Sequence, residues 1–338
     1  NYSRMEDKKS VAVVMREQYQ DGRLHYPLFT TRPEAQKFKA FNLRNNGNRF
    51  VSDYIADAAG GAILEGSGVD YQRSRQVVVF YNGEYYGIHD MRERFNEHYV
   101  ETNYGIDAGS VDIIKHLGHD ISVSGGSSVG YEELLDFVAK NDFSGANNAN
   151  YTLVQAMMDV GNFADYMAAE IYIHNGDWPN NNVRAWRSPE QPWKFMIYDL
   201  DHGFDWSWTV SGFSQNSTNM FDWIKRGGGG GGSCAEVGCF ANLFNKLIQN
   251  PDFKRLFVNR SAVMLEKYLN SERLTATIES MVATLDPDEM ARDLERFDRE
   301  KRGYGFSKSG TSIKEWARTR DSWVREDYAE EFGVGSTV

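Results

Sequence analysis

Cysteine is almost missing from this chain, with two in 338 residues. Cys234 and Cys239 stand five apart in GGGGGGSCAEVGCF, too few thiols for a zinc centre without nearby histidines. A local disulfide is the expectation if the protein is exported, and two free buried thiols are the alternative. No run of about eighteen apolar residues occurs, so nothing reads as a membrane span. Neither a G-x-x-x-x-G-K-[ST] loop nor a G-x-G-x-x-G that opens a helix is present, which removes the usual Gly-rich phosphate cradles. Basic charge is in deficit, 37 Lys and Arg against 48 Asp and Glu, for a net charge of -11. That balance argues against nucleic acid or an anionic membrane as a general partner and favours a basic one. The chain opens NYSRMEDKKS with neither an initiator Met nor a signal peptide, which reads as a mature or trimmed product.

What is present belongs to a folded protein. Apolar residues make up 41% and aromatics 14%, enough for a sizeable core and for ring platforms that suit adenine or sugars, in two domains or one two-lobed one. Residues 11–15 and 38–43 read as strands, and 51–66 as a helix that breaks near Gly60 and Gly61. Residues 77–81 and 84–89 flank Asn82-Gly83, a hairpin signal. MRERFNEHYV then reads as a short helix carrying Arg92, Glu93 and Glu97. VDIIK ends an apolar run on Lys115, and the Gly/Ser-rich 119–130 reads as a linker. Two helices follow, YEELLDFVAKND and NFADYMAAEIYIHN. The six-glycine run 227–232 reads as a mobile loop. Four helical segments close the chain, with Pro251 and Pro287 near helix starts and the charges of 286–302 as a solvated face.

The chemistry concentrates in residues 171–205, IYIHNGDWPNNNVRAWRSPEQPWKFMIYDLDHGFD. Asp177 and Asn182 have D-x-x-x-x-N spacing, and Asp199 and Asp201 emerge after the apolar run Met196 to Tyr198. An acid to meet a hydroxyl, an Asn for one metal and a later Asp after a strand is the order of a phosphoryl-transfer site. Taken alone, Asp177 with its asparagines equally suits an ordinary turn. His174, three residues before Asp177, reads as a hydrogen-bonded structural histidine.

GDWPNNNVRAW followed by WKFMIYDLDHGFD resembles the core signature of the CotH family, secreted atypical protein kinases of the spore-coat type. FNLRNNGNRF, VVVFYNGEYYGIHDMRERFNEHYV and VDIIK resemble further family blocks in the same order, so the likeness covers most of 41–204. The resemblance implies an α+β, divergent two-lobed protein-kinase-like fold, with a small β-rich N-terminal lobe over 1–118 and a mainly helical C-terminal lobe over 119–338. The absence of a kinase Gly-rich loop fits either the family's divergence or a small lobe that lacks its start. It further implies ATP with Mg²⁺ (or Mn²⁺ or Ca²⁺), a protein acceptor and an extracytoplasmic setting. On that reading Asp177 is catalytic, Asn182, Asp199 and Asp201 hold metal, and Lys115, Arg92, Glu93 and Arg44 serve the nucleotide, with Glu93 or Glu97 as the helix acid that pairs with the phosphate-binding cation. Two alternatives stay open: a non-catalytic surface or coat module that binds a nucleotide, glycan or partner protein, and a calcium-stabilised domain using Asp177, Asp199, Asp201 and Asp205.

Overall fold

Alternating apolar and polar positions build the N-terminal sheet in the computed structural model, which describes residues 6–49, 53–117, 120–179, 181–204, 218–228, 238–297 and 310–335. Its strands are β1 (Val11–Val14), β4 (Ala40–Arg44), β5 (Ser74–Tyr81) and β6 (Glu84–Glu93), in the order β1-β4-β6-β5 and antiparallel throughout. A two-stranded ribbon, β2 (Leu24–His25) with β3 (Lys37–Phe38), lies alongside in sequence. The hairpin between β5 and β6 turns at Asn82 (φ 53°) and Gly83 (φ 84°), the double left-handed turn that matches strand twist.

Strand β6 runs further than expected. Arg92 pairs with Asn42 on one side and Ser74 on the other, so Arg92 and Glu93 end a central strand rather than sit on a helix. Ladder pairing on both edges overrides the helical charge pattern, and α2 (Glu97–Tyr104) begins only after Asn96 accepts the Tyr99 amide at 3.2 Å.

Helix α1 (Ala56–Ala62) is also a correction, because it continues through Gly60 and Gly61 instead of breaking. Packing explains the glycine: a Cβ on Gly60 would stand 2.8 Å from Leu200 Cδ1 and 2.9 Å from Phe204 Cζ. The helix thereby lies hard against the turn that carries Asp199 and Asp201.

A second antiparallel sheet has the order β10-β9-β7-β8, from β7 (Asp112–Leu117), β8 (Asp120–Gly125), β9 (Val183–Ser188) and β10 (Gln191–Met196). The expected linker is therefore partly a strand. Serines and glycines in DISVSG suit an edge, where side chains are mostly exposed and alternation is weak. The lobe boundary expected at 118 falls between β7 and β8, so this sheet draws on both sides of it.

The remainder is helical: α3 (Val129–Lys140), α4 (Ala149–Met157), α5 (Val160–Ile173), α6 (Met220–Lys225), α7 (Ala241–Leu247), α8 (Pro251–Lys267), α9 (Ser271–Ala283), α10 (Pro287–Arg296) and α11 (Thr311–Phe332). Asn250 and Asp286 cap α8 and α10, with Pro251 and Pro287 in the first turn, where a missing amide hydrogen costs nothing. Helix α5 is buried continuously from Asn162 to Ile173 and forms the axis of the main core. The 286–302 charges are not all solvated, since Asp293 of α10 is fully buried and pairs at 3.0 Å with the equally buried Lys8. Residues 298–302 lie outside the described residues. Among the described residues no helix is long and apolar enough to cross a membrane. Cys239 is disulfide-bonded. Cys234, the chain's other cysteine, lies outside the described residues, as do most of the glycine run and Asp205.

Candidate active site

Helix α5 ends where its residues stop and a buried cation caps it. His174 closes the helix in the left-handed region (φ 61°), its amide donating to Glu170 O at 3.1 Å. Arg320 of α11, fully buried, donates through Nε to Tyr172 O (2.9 Å) and through Nη2 to Ile171 O (2.6 Å), satisfying carbonyls the helix itself cannot reach. The His174 ring donates from Nε2 to Thr218 O at 3.0 Å, and burial pushes its pKa down to about 3, so it is neutral and structural.

The loop after α5 is pinned from beneath. Asn175 Nδ2 donates to Glu170 Oε2 at 3.0 Å, and Asn175 Oδ1 accepts the Asp177 amide at 3.3 Å. Burial raises the Glu170 carboxyl to about 8, which keeps it protonated at neutral pH. Trp178 donates from Nε1 to Tyr166 OH (2.9 Å), and its carbonyl accepts from Trp223 Nε1 (2.6 Å). On this base Asp177 is half-buried and held by two amides: Asn181 Nδ2 reaches Oδ1 at 2.9 Å and Asn182 Nδ2 reaches Oδ2 at 3.0 Å. Asp177 and Asn182, paired in the sequence only by spacing, are thus in direct contact.

The acidic turn follows β10. Asp199 takes a left-handed conformation (φ 59°), and the next amide, Leu200 N, donates to Asp57 Oδ1 at 2.9 Å. Arg44, at the end of β4, meets all three nearby acids through Nη2: Asp199 at 2.9 Å, Asp57 at 3.5 Å and Asp201 at 4.0 Å. Burial opposes charge on Arg44, but the three carboxylates outweigh it and hold the guanidinium more firmly protonated than usual. Burial would likewise raise Asp57, yet Arg92 and Arg44 pull it down to about 2. Arg92, 2% exposed, is clamped between Asp57 and Asp90. Asp201 is buried against the 45–49 turn. A Cβ on Gly47 (φ 57°) would stand 2.2 Å from its Oδ2, and Arg49 Nε donates to its carbonyl at 2.9 Å.

Lys115 of β7 comes to the same place. Burial lowers its pKa and Arg184 lowers it further, while Asp199 and Asp177 pull the other way. Glu93 faces elsewhere: its carboxylate accepts from the Arg73 amide (2.9 Å) and Asn103 Nδ2 (3.0 Å). Glu97 stands 3.6 Å from His98. The helix acid that meets a strand-end cation is Asp57 on α1. Its sequence signal was a lone acid in the Ala-rich apolar stretch YIADAAGGA. His202, which has no spacing signal in the sequence, lies beside these residues as well. Its carbonyl accepts from Gly176 N at 3.2 Å, tying the acidic turn to the Asp177 loop, and burial holds its ring pKa below the usual value against the opposing pull of Asp177 and Asp199.

Among the described residues no group of three or more His, Cys, Asp or Glu is placed to hold a metal unaided. The donors at hand are hard oxygens, from the Asn182 carboxamide and the Asp199 and Asp201 carboxylates. That small set suits Mg²⁺, which takes one or two carboxylates and completes its shell with phosphate and water.

Two solved structures show partial likeness. One is HipA of Shewanella oneidensis MR-1, from a toxin–antitoxin complex with HipB and operator DNA, at 12% identity and a TM-score of 0.40 over 85% of this chain. The chain spans 59% of that HipA chain. The other is the Helicobacter pylori proinflammatory kinase CtkA, at 11% identity and a TM-score of 0.33, covering 82% of this chain and 91% of CtkA. No curated protein matches in sequence. The CotH kinase protein family matches residues 1–324, nearly the whole length, and this β-rich then helical α/β chain is a member of the CotH kinase family.

Proposed function

We propose that the protein transfers the γ-phosphoryl group of ATP, with Mg²⁺, to a hydroxyl of a protein acceptor outside the cytoplasm. The observation that carries this reading is the meeting of two constellations: Asp177 bonded to Asn182, and Asp199 bonded to Arg44, both within electrostatic reach of Lys115. A bound divalent metal, Mg²⁺ or with less constraint Mn²⁺ or Ca²⁺, supplies charge neutralisation for the triphosphate.

The chain's own residues would divide the work as follows. Asp177 orients the acceptor hydroxyl and takes its proton as the new oxygen–phosphorus bond forms and the bond from the γ-phosphorus to the bridging oxygen breaks, leaving ADP with that electron pair. Asn182 and Asp199 hold the metal, and Asp201 braces the turn beside them. Arg44, linked to helix acid Asp57 and to Asp199, would take the part of a kinase's strand lysine, and with Lys115 it would offset phosphate charge. Arg92 and Glu93 act at a remove, Arg92 by fixing Asp57. Transfer of radiolabelled phosphate from ATP to mixed extracellular proteins tests the reading; no transfer with Mg²⁺ or Mn²⁺ overturns it.

A further inference from the structure

Strands β7 and β9 are neighbours, and their register sets Lys115 directly opposite Arg184. Residues opposite each other on antiparallel strands leave the same face with Cβ atoms about 5 Å apart, and like charges so placed are destabilising. Both cations also stand over one ring: Lys115 Nζ is 5.7 Å and Arg184 Cζ is 4.9 Å from the Tyr198 centroid. Both are half-buried, and among the described residues neither has a carboxylate at ion-pair distance. Arg184 Nη1 donates to Phe95 O at 2.9 Å, while its Nε is buried without an acceptor. Tyr198 immediately precedes Asp199, so the paired cations border the acidic turn.

Two unpaired cations held together at a sheet face are a cost that a bound anion removes. We infer that Lys115 and Arg184 form an anion clamp, with the Tyr198 ring as its floor, for the phosphate chain of the nucleotide. The planar fork of Arg184 suits two phosphate oxygens at once, and Lys115 adds a point charge. That the anion is a nucleotide's phosphate chain rests on the phosphotransfer reading; the clamp itself does not.

Calorimetric titration of the full chain with inorganic tripolyphosphate, with ATP and Mg²⁺, and with adenosine tests this on the wild type, Arg184→Gln, Arg184→Lys and Lys115→Gln. Arg184→Gln and Lys115→Gln should each weaken tripolyphosphate and ATP about tenfold or more, the loss of one charge-assisted contact. Arg184→Lys should recover part of that loss, and adenosine binding should not respond. Unliganded Arg184→Gln should melt no lower than wild type, because the like-charge contact is gone. Wild-type tripolyphosphate affinity in Arg184→Gln overturns the clamp, even if phosphate transfer from ATP is observed. Clamp-dependent tripolyphosphate binding without any transfer from ATP supports the clamp and instead overturns the phosphotransfer reading.

Discussion

The Arg44 guanidinium donates to the Asp199 carboxylate at 2.9 Å, across 155 residues of sequence. It joins the last residue of a strand in the first sheet to the acid proposed as a metal ligand, and Asp57 keeps it there from the neighbouring helix. Replacing Arg44 by Gln should weaken Mg²⁺-dependent ATP binding severely while the Asp177–Asn182 contact survives. Titration of the variant with ATP in Mg²⁺ checks this, and wild-type affinity would remove Arg44 from the nucleotide site.

Arg92 is expected to fail differently. It lies buried between Asp57 and Asp90, so Arg92→Met leaves two carboxylates in the interior short of a cation and should destabilise the fold by about 3–5 kcal/mol. Urea unfolding measures it. A loss under 1 kcal/mol would mean that water reaches this network.

Gly47 answers for backbone and space together. Gly47→Ala places a Cβ 2.2 Å from Asp201 Oδ2 at a φ of 57°, where an L residue is strained. The melting temperature should fall, with a cost of about 1–3 kcal/mol, and Asp201 should be displaced. An unchanged melting temperature would contradict the close approach.

Glu170 sets a pH dependence. Its folded pKa, about 8, lies above the ordinary 4.5, so between these values the native state holds a proton that the unfolded chain has lost. Its contribution to stability is therefore greatest below about pH 4.5 and falls as pH rises to 8. Glu170→Gln, which keeps the shape without the ionisation, should flatten that decline. Denaturant midpoints at pH 5, 6, 7 and 8 compare the two proteins, and parallel curves would show that Glu170 does not remain protonated.

Cys239 should resist alkylation in unreduced native protein and accept the reagent after reduction, as intact mass would register. Alkylation without reduction would contradict the bond.

Periodicity and turn chemistry made much of this fold readable before any coordinates. The Asn82-Gly83 hairpin, α5 and the four C-terminal helices follow from local pattern, and local pattern decided them. The misreadings arise where long-range partners decide. Gly60 stays helical with Leu200 and Phe204, distant in sequence, pressed against it, Gly61 lies against Tyr71, and Arg92 is in a strand because β4 and β5 pair with it on both sides. In the site, the order Asp177, Asn182, Asp199 was legible as a motif. Asp57, His202 and Arg184 were not, because each is placed by tertiary neighbours and none has a spacing signal of its own.

The central claim separates the two acids by what each loss should do, and one paired measurement tests it: calorimetric ATP titration with Mg²⁺ together with radiolabelled phosphate transfer, on wild type, Asp177→Asn and Asp199→Asn. Asp199→Asn should lose most Mg²⁺-dependent ATP binding, having lost a charged metal ligand. Asp177→Asn should bind ATP nearly as wild type does and yet transfer about 10²-fold less phosphate or lower still, the scale for removing a general base. Wild-type protein that binds no ATP with either Mg²⁺ or Mn²⁺, or an Asp177→Asn variant that transfers phosphate at the wild-type rate, would contradict the account.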